Sequence, residues 1–258
     1  MDQPRPMSLL SLFRDLRRRK ARERQGLFVA EGLRTVSELL RSPVVVRGAL
    51  YSPAFVASER GSALLAQLAA RGIDSEAVTE AEFVSAAETE SPQGILAVGV
   101  VPRRSLADLP NADTLRLLVL DAVQDPGNLG TIVRTAAALG ATATFSLPGT
   151  VDLWNAKVVR SAMGAHFGFP CLNGTWDELD AFRRERSVSV WAADASGDPV
   201  GSVEPPAQLA LVVGNEGAGL SSLSRARADR VIALPIAASV ESLNVAVAAG
   251  ILLYELRR

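Results

Sequence analysis

Three polar clusters interrupt the apolar pattern of this 258-residue chain, and each carries residue types that can do chemistry. In LDAVQDPGNLGTIVRTAAALGA (120–141) an apolar run ends at Asp121, and Gly127-Asn128-Leu129-Gly130 then opens a helix bearing Arg134. A glycine-rich turn entering a helix lets an anion or a ribose approach free N–H groups. In LALVVGNEGAGLS (209–221) a strand runs straight into Gly214, and three glycines surround the carboxylate of Glu216. The carboxyl end of a buried strand is where open α/β sheets hold ligands. In VIALPIAASVESLNVAVAAGILLYEL (231–256) Leu234-Pro235-Ile236 closes a strand, and Glu241-Ser242-Leu243-Asn244 leads into the last helix. Each cluster also has a plain structural reading: a strand-to-helix turn with an exposed Arg134, a turn with a solvated Glu216, and Ser242 as a helix cap. Asn244 stands out from its apolar surroundings, because a buried amide needs partners.

Composition removes several chemistries. With one cysteine (Cys171) and one histidine (His166), no intrachain disulfide can form and Cys/His metal sites have no ligands, so no metal is expected. The only lysines are Lys20 and Lys157, and neither follows a glycine, so there is no phosphate-binding P-loop. GNEGAGL and DPGNLGT both miss the dinucleotide fingerprint, which argues against a nicotinamide-dependent oxidoreductase. The richest apolar run, 243–256, is closed by Glu255 and falls short of the roughly 18 residues of a membrane span. The first residues carry their charge after the apolar patch, unlike a secretory signal. A cytoplasmic protein away from membranes is expected.

The elements that must position the clusters follow from apolar runs. LFVAEG, VVVRGALY, a short strand near Ile73–Val78 and GILAVGVVP alternate with helices, giving a small α/β domain over 1–104. A proline-rich polar linker over 105–114 leads to a second domain, 115–258. There LRLLVLD, ATATFSL, VSVWAAD, LALVVG and RVIALP are short apolar strands between helices, the pattern of a mainly parallel sheet with helices on both faces. Net charge is −1, yet residues 1–24 hold eight cationic against three acidic residues. Arg14, Arg17, Arg18, Arg19, Lys20, Arg22 and Arg24 accompany a stripe of Leu9, Leu12, Phe13 and Leu16. This is either a solvated helix face or an arm that contacts phosphates.

In this order the three clusters resemble the motifs of the SpoU/TrmH family of RNA ribose 2′-O-methyltransferases, within the SPOUT superfamily. The resemblance spans roughly 115–258, and GLFVAEGLRTVSELL with SPQGILAV is similar to the family's accessory RNA-binding domain. It implies an α/β fold with a deep trefoil knot, S-adenosylmethionine as cofactor and a homodimer. That homodimer would pair through the last helix, where Val245, Ala249, Leu252 and Leu253 offer a close-packing face. The implied partner is RNA, rRNA of the 23S type ahead of tRNA; the rival reading is a catalytically silent RNA-binding relative. By the same match Asn128, Arg134, Glu216, Ser242 and Asn244 form the catalytic set, while Gly214, Leu234, Ile236 and Leu243 line the cofactor pocket. Two positions depart from the family pattern. Ala238 stands where a glycine is common, so the loop must avoid positive φ there, and Ala246 replaces a frequent serine. The resemblance makes Arg134 the group that activates the 2′-hydroxyl. A free guanidinium keeps its proton up to about pH 12, so Arg134 either loses a proton in a special site or orients the hydroxyl and a phosphate.

Overall fold

The computed structural model describes residues 8–89 and 91–257. Arg5 of the basic segment lies outside them. The chain divides into two compact units, one formed by residues up to Pro102 with Trp154–Gly168, the other by Arg103–Leu153 with Phe169–Arg258. The sequence reading had assigned Trp154–Gly168 to the second region. Aromatic packing draws it into the first: the Trp154 and Phe167 rings lie 4.6 and 5.7 Å from that of Phe28.

In the first unit, strands β1 (Leu27–Glu31), β2 (Val46–Tyr51), β3 (Ser75–Ala77) and β4 (Ile95–Val100) form a sheet in the order β1-β4-β2-β3. β4 runs antiparallel to β1 and β2, and β2 runs parallel to β3. Gly99 of β4 is required by a close approach: a Cβ there would sit 2.4 Å from the Phe28 ring. The helix Leu9–Leu16 buries Phe13 and Leu16 against Leu50, Phe83 and Leu96.

The basic segment is thus folded. Arg24 pairs with Asp15 at 3.1 Å and Arg19 with Glu23 at 2.7 Å. Arg22, grouped with the phosphate-contacting arm on sequence, is buried instead. Its guanidinium donates to the carbonyls of Leu16 (2.8 Å) and Arg17 (2.9 Å), tying one helix to the next.

The second unit holds a six-stranded sheet of β5 (Leu115–Leu120), β6 (Ala143–Ser146), β7 (Cys171–Asn173), β8 (Ser189–Pro199), β9 (Gln208–Val213) and β10 (Arg230–Ala233). The order is β10-β8-β9-β5-β6-β7 and every pairing is parallel. The central strands β5 and β9 are buried along nearly their whole length, as a covered parallel sheet requires. The helix Pro126–Ala138 packs on the final helix Val245–Glu255, where a Cβ on Gly250 would meet Thr135 at 3.1 Å. Among the described residues no helix is long and apolar enough to cross a membrane.

The final helix departs from expectation in two ways. It begins at Val245 with Asn244, not Ser242, as its cap: the Asn244 Oδ1 accepts from the N–H groups of Ala246 (2.9 Å) and Val247 (3.4 Å). Val245, Ala249, Leu252 and Leu253, expected to pair with a second copy, are buried within this unit. The outward row is Val247, Ile251 and Tyr254, which are 51%, 41% and 49% exposed.

Candidate active site

The three clusters meet at the carboxyl ends of β5, β9 and β10. After β5 the chain turns sharply, with Ala122 at φ 58°, and Asp125 then caps the helix Pro126–Ala138 by accepting from the Asn128 N–H at 2.7 Å. Pro126 occupies the first turn, where its missing N–H costs nothing. After β9, Gly214 admits no side chain: a Cβ would lie 2.4 Å from the backbone of Gly219. Asn215 shapes the loop that follows. Its backbone pairs with Gly219, its Oδ1 accepts from Gly217 and Ala218 at 2.9 Å, and its Nδ2 donates to the Ala122 carbonyl at 2.8 Å.

That loop presents Glu216 to the first cluster. Its carboxylate accepts from the N–H groups of Gln124 and Asp125 at 3.2 Å and from the Asn128 amide at 3.0 Å. The Asn128 Oδ1 in turn accepts from the Asn244 amide at 2.8 Å. Glu216, Asn128 and Asn244 therefore form one continuous chain of hydrogen bonds through all three clusters. Burial acts to raise the Glu216 carboxyl, but the bonds from Asn128, its own backbone N–H, Gln124 and Asp125 outweigh it and hold it below 4.5.

A cavity of about 300 Å³ opens beside this chain. Gly214, Leu234, Ile236 and Leu243 line it, as do Glu216 and Ser242. Val245 and Leu252 extend the apolar wall, whereas Asp194 and Glu241 add carboxylates. Asp194 is held at about 2, first by its bond from Arg225, against burial and with help from Ser196. Neither Asp194 nor Asn215 stands out on sequence. Asn215 could have been found from its place before Gly217, where an Asx turn forms, but Asp194 sits in a strand and gives no local signal.

Other site residues fall differently. Asn128 bonds to both Glu216 and Asn244, neither amide residue lines the cavity, and Asn244 is exposed rather than buried. Arg134 is exposed on its helix, makes no hydrogen bond or ion pair to a described residue and does not line the cavity. Ala238 has no positive φ, and the buried Ala246 donates its N–H to Asn244. Among the described residues no group of three or more His, Cys, Asp or Glu is placed to hold a metal ion.

A parallel sheet whose strand ends gather a glycine-lined cavity and this polar chain defines an α/β enzyme class, and comparison with known proteins specifies it. Residues 116–254 match the SpoU rRNA methylase family, and residues 11–97 match the MRM3-like substrate binding domain. The chain belongs to the SpoU rRNA methylase family. It is 36% identical to the 23S rRNA (guanosine(2553)-2′-O)-methyltransferase RlmP of Bacillus subtilis, over 95% of this chain and 94% of that protein. It is 30% identical to the 23S rRNA (uridine(2479)-2′-O)-methyltransferase of Streptomyces viridochromogenes, over 92% and 84%. Among solved structures it resembles the AdoMet-bound SpoU methyltransferase AviRb from Streptomyces viridochromogenes, with a TM-score of 0.85, 29% identity and 96% of each chain covered. It also resembles the AdoMet-bound rRNA methyltransferase from Sinorhizobium meliloti, with a TM-score of 0.84, 28% identity, and 100% and 96% covered.

Proposed function

We propose that this protein methylates a ribose 2′-hydroxyl in 23S-type rRNA in the cytoplasm, using S-adenosylmethionine. The observation that carries the reading is the hydrogen-bonded chain Glu216–Asn128–Asn244 beside a cavity of the right chemistry. The cavity suits the cofactor: Leu234, Ile236 and Leu243 offer apolar contact to a nucleoside, and Glu216 on the same wall puts a carboxylate near a cationic ligand. Gly214 keeps the loop backbone close to that space. When bound, S-adenosylmethionine supplies a methyl group on a positively charged sulfur, already electrophilic enough for an oxygen nucleophile.

The chain's own task is to place the hydroxyl. Glu216 fixes the Asn128 amide, so that Asn128 and Asn244 present a rigid polar edge at the helix start, with Ser242 on the cavity wall. Arg134 orients the hydroxyl and a neighbouring phosphate through its planar fork, and the phosphate helps to take the proton. Arg134 reaches RNA in a homodimer, formed on the outward row Val247, Ile251 and Tyr254 of the final helix; Gly250 of that helix packs against Thr135, next to Arg134. The knot implied by the family motifs belongs to this second domain, and the first domain holds the RNA through Arg17, Arg18 and Lys20.

Ribose-methylation mapping of rRNA and tRNA from cells with and without the protein tests this reading, together with cofactor titration of the purified chain. Loss of one ribose methylation in 23S-type rRNA, with saturable S-adenosylmethionine binding, is expected. A lost tRNA methylation would redirect the substrate, and cofactor-free RNA binding would make the protein a silent relative.

A further inference from the structure

A second cavity of about 470 Å³ opens where the chain leaves β5 and β6, lined by Asp121 and Ala122 of the 121–125 turn. Its walls include Leu147, Pro148, Trp176 and Leu223. Leu223 is 46% exposed, an apolar side chain left open at the rim. Asp121 lines the same cavity although it is only 4% exposed. One of its carboxylate oxygens accepts the Ser221 N–H at 2.6 Å; the other accepts no hydrogen bond from a described residue. That oxygen is not among the atoms sealed from solvent, so it stands as an acceptor open to a donor in the cavity. One oxygen serves the loop by accepting the Ser221 N–H, and the loop makes no use of the other.

We propose that this cavity is a subsite for an unpaired nucleobase of the substrate RNA, next to the nucleotide that is methylated, and that Asp121 selects a base bearing an exocyclic amine. The inference rests on the methyltransferase reading of the neighbouring site. Position supports it: the Ala122 carbonyl, adjacent to Asp121, accepts from Asn215, the neighbour of Glu216. The turn that lines the second cavity is thus bonded directly to the loop that lines the first. Chemistry sets the preference. The apolar wall of Leu147, Pro148, Trp176 and Leu223 accepts any base face, Thr175, Asp177 and Arg227 complete the lining, and the Asp121 carboxylate accepts from the amines of cytosine, adenine or guanine and repels the carbonyls that flank the N–H of uracil.

The test uses the full-length protein and fluorescently labelled hexamers of cytidine, adenosine and uridine, with S-adenosylmethionine binding measured in parallel. The cytidine and adenosine hexamers should bind at least about tenfold more tightly than the uridine hexamer. In Asp121→Asn the Ser221 N–H must still be accepted by the amide oxygen, which turns the NH₂ toward the cavity. The preference should then vanish or invert toward uridine, with cofactor affinity unchanged. Should Asp121→Asn fail to fold, Leu223→Glu at the exposed rim adds a negative charge and removes the apolar wall without touching the core, and all hexamers should weaken together. Equal binding of the three hexamers to the wild type, or an intact preference in the folded Asp121→Asn protein, overturns the subsite while leaving the enzyme reading in place. Absence of cofactor binding in the wild type would instead overturn the reading on which it rests.

Discussion

At the scale of single residues, the site is a set of polar side chains committed to one another. Glu216 accepts three hydrogen bonds, so losing its charge should loosen the whole loop. Its carboxyl lies below the ordinary 4.5 when folded, so the stabilisation is complete above that value and is lost as the pH falls through the folded one. Asp194, held at about 2, keeps its charge over the same range. Cofactor affinity should therefore stay level from neutral pH down to the ordinary carboxylate range and fall only at more acid pH, where Glu216 takes up its proton. Glu216→Gln should reproduce the acid loss at neutral pH, weakening the cofactor by about 5- to 30-fold, or about 1–2 kcal/mol, since partial exposure discounts these charge-assisted bonds. Calorimetric titration across pH checks both, and a flat profile in the wild type would contradict the assignment. Asn244 was legible because it breaks an apolar run, whereas Asn128 and Glu216 sit in polar glycine turns and were marked by the resemblance to the family motifs. Which of Ser242 and Asn244 capped the last helix was not legible, because both have capping side chains two positions apart.

At the scale of elements, the strands were legible wherever apolar runs were bounded by glycine or polar residues. LFVAEG became β1, LRLLVLD β5 and LALVVG β9, each within a residue or two. The weak edge strand β7, three residues starting at Cys171, has no run long enough to register. β8 continues through Asp194 to Pro199, past where its apolar pattern ends, because pairing with β10 shifts register between Val231 and Ile232. The final helix shows the same limit: it is apolar on nearly every side, so periodicity could not say which face turned inward. Structure settles it. Val247, Ile251 and Tyr254 recur at helical spacing on the outer face, whereas Val245, Ala249, Leu252 and Leu253 are core. Ile251→Asp should then convert a dimer to a monomer of 27.2 kDa while shifting the melting temperature little, because the side chain is already 41% exposed. Light scattering reads this directly. A wild-type monomer, or a dimer untouched by Ile251→Asp, would place the contact elsewhere.

At the scale of the whole molecule, the chain joins an N-terminal unit matching a substrate binding domain to a methylase unit matching its family over 116–254. Local sequence could not show that Trp154–Gly168 packs with the first unit, since only Phe28, far away in the chain, explains those aromatics. The basic segment likewise looks uniform on sequence, yet burial removes Arg22 from it and Arg18, Arg19 and Arg24 all pair with acids; Arg18 meets Asp15 at 4.0 Å with its side chain still 79% exposed, and Lys20 is exposed. The central claim is that this assembly methylates a ribose oxygen with Arg134 shaping the transition state. Single-turnover methylation of 23S-type rRNA at saturating cofactor, followed by mass analysis of the nucleosides, tests it most directly. The account predicts a 2′-O-methylated nucleoside from the wild type. Arg134→Ala should lower the rate at least about 100-fold with cofactor affinity intact, and Arg134→Lys should rescue little, because an ammonium lacks the planar fork. A methyl group found on a base, or a near-normal rate for Arg134→Ala, would contradict it.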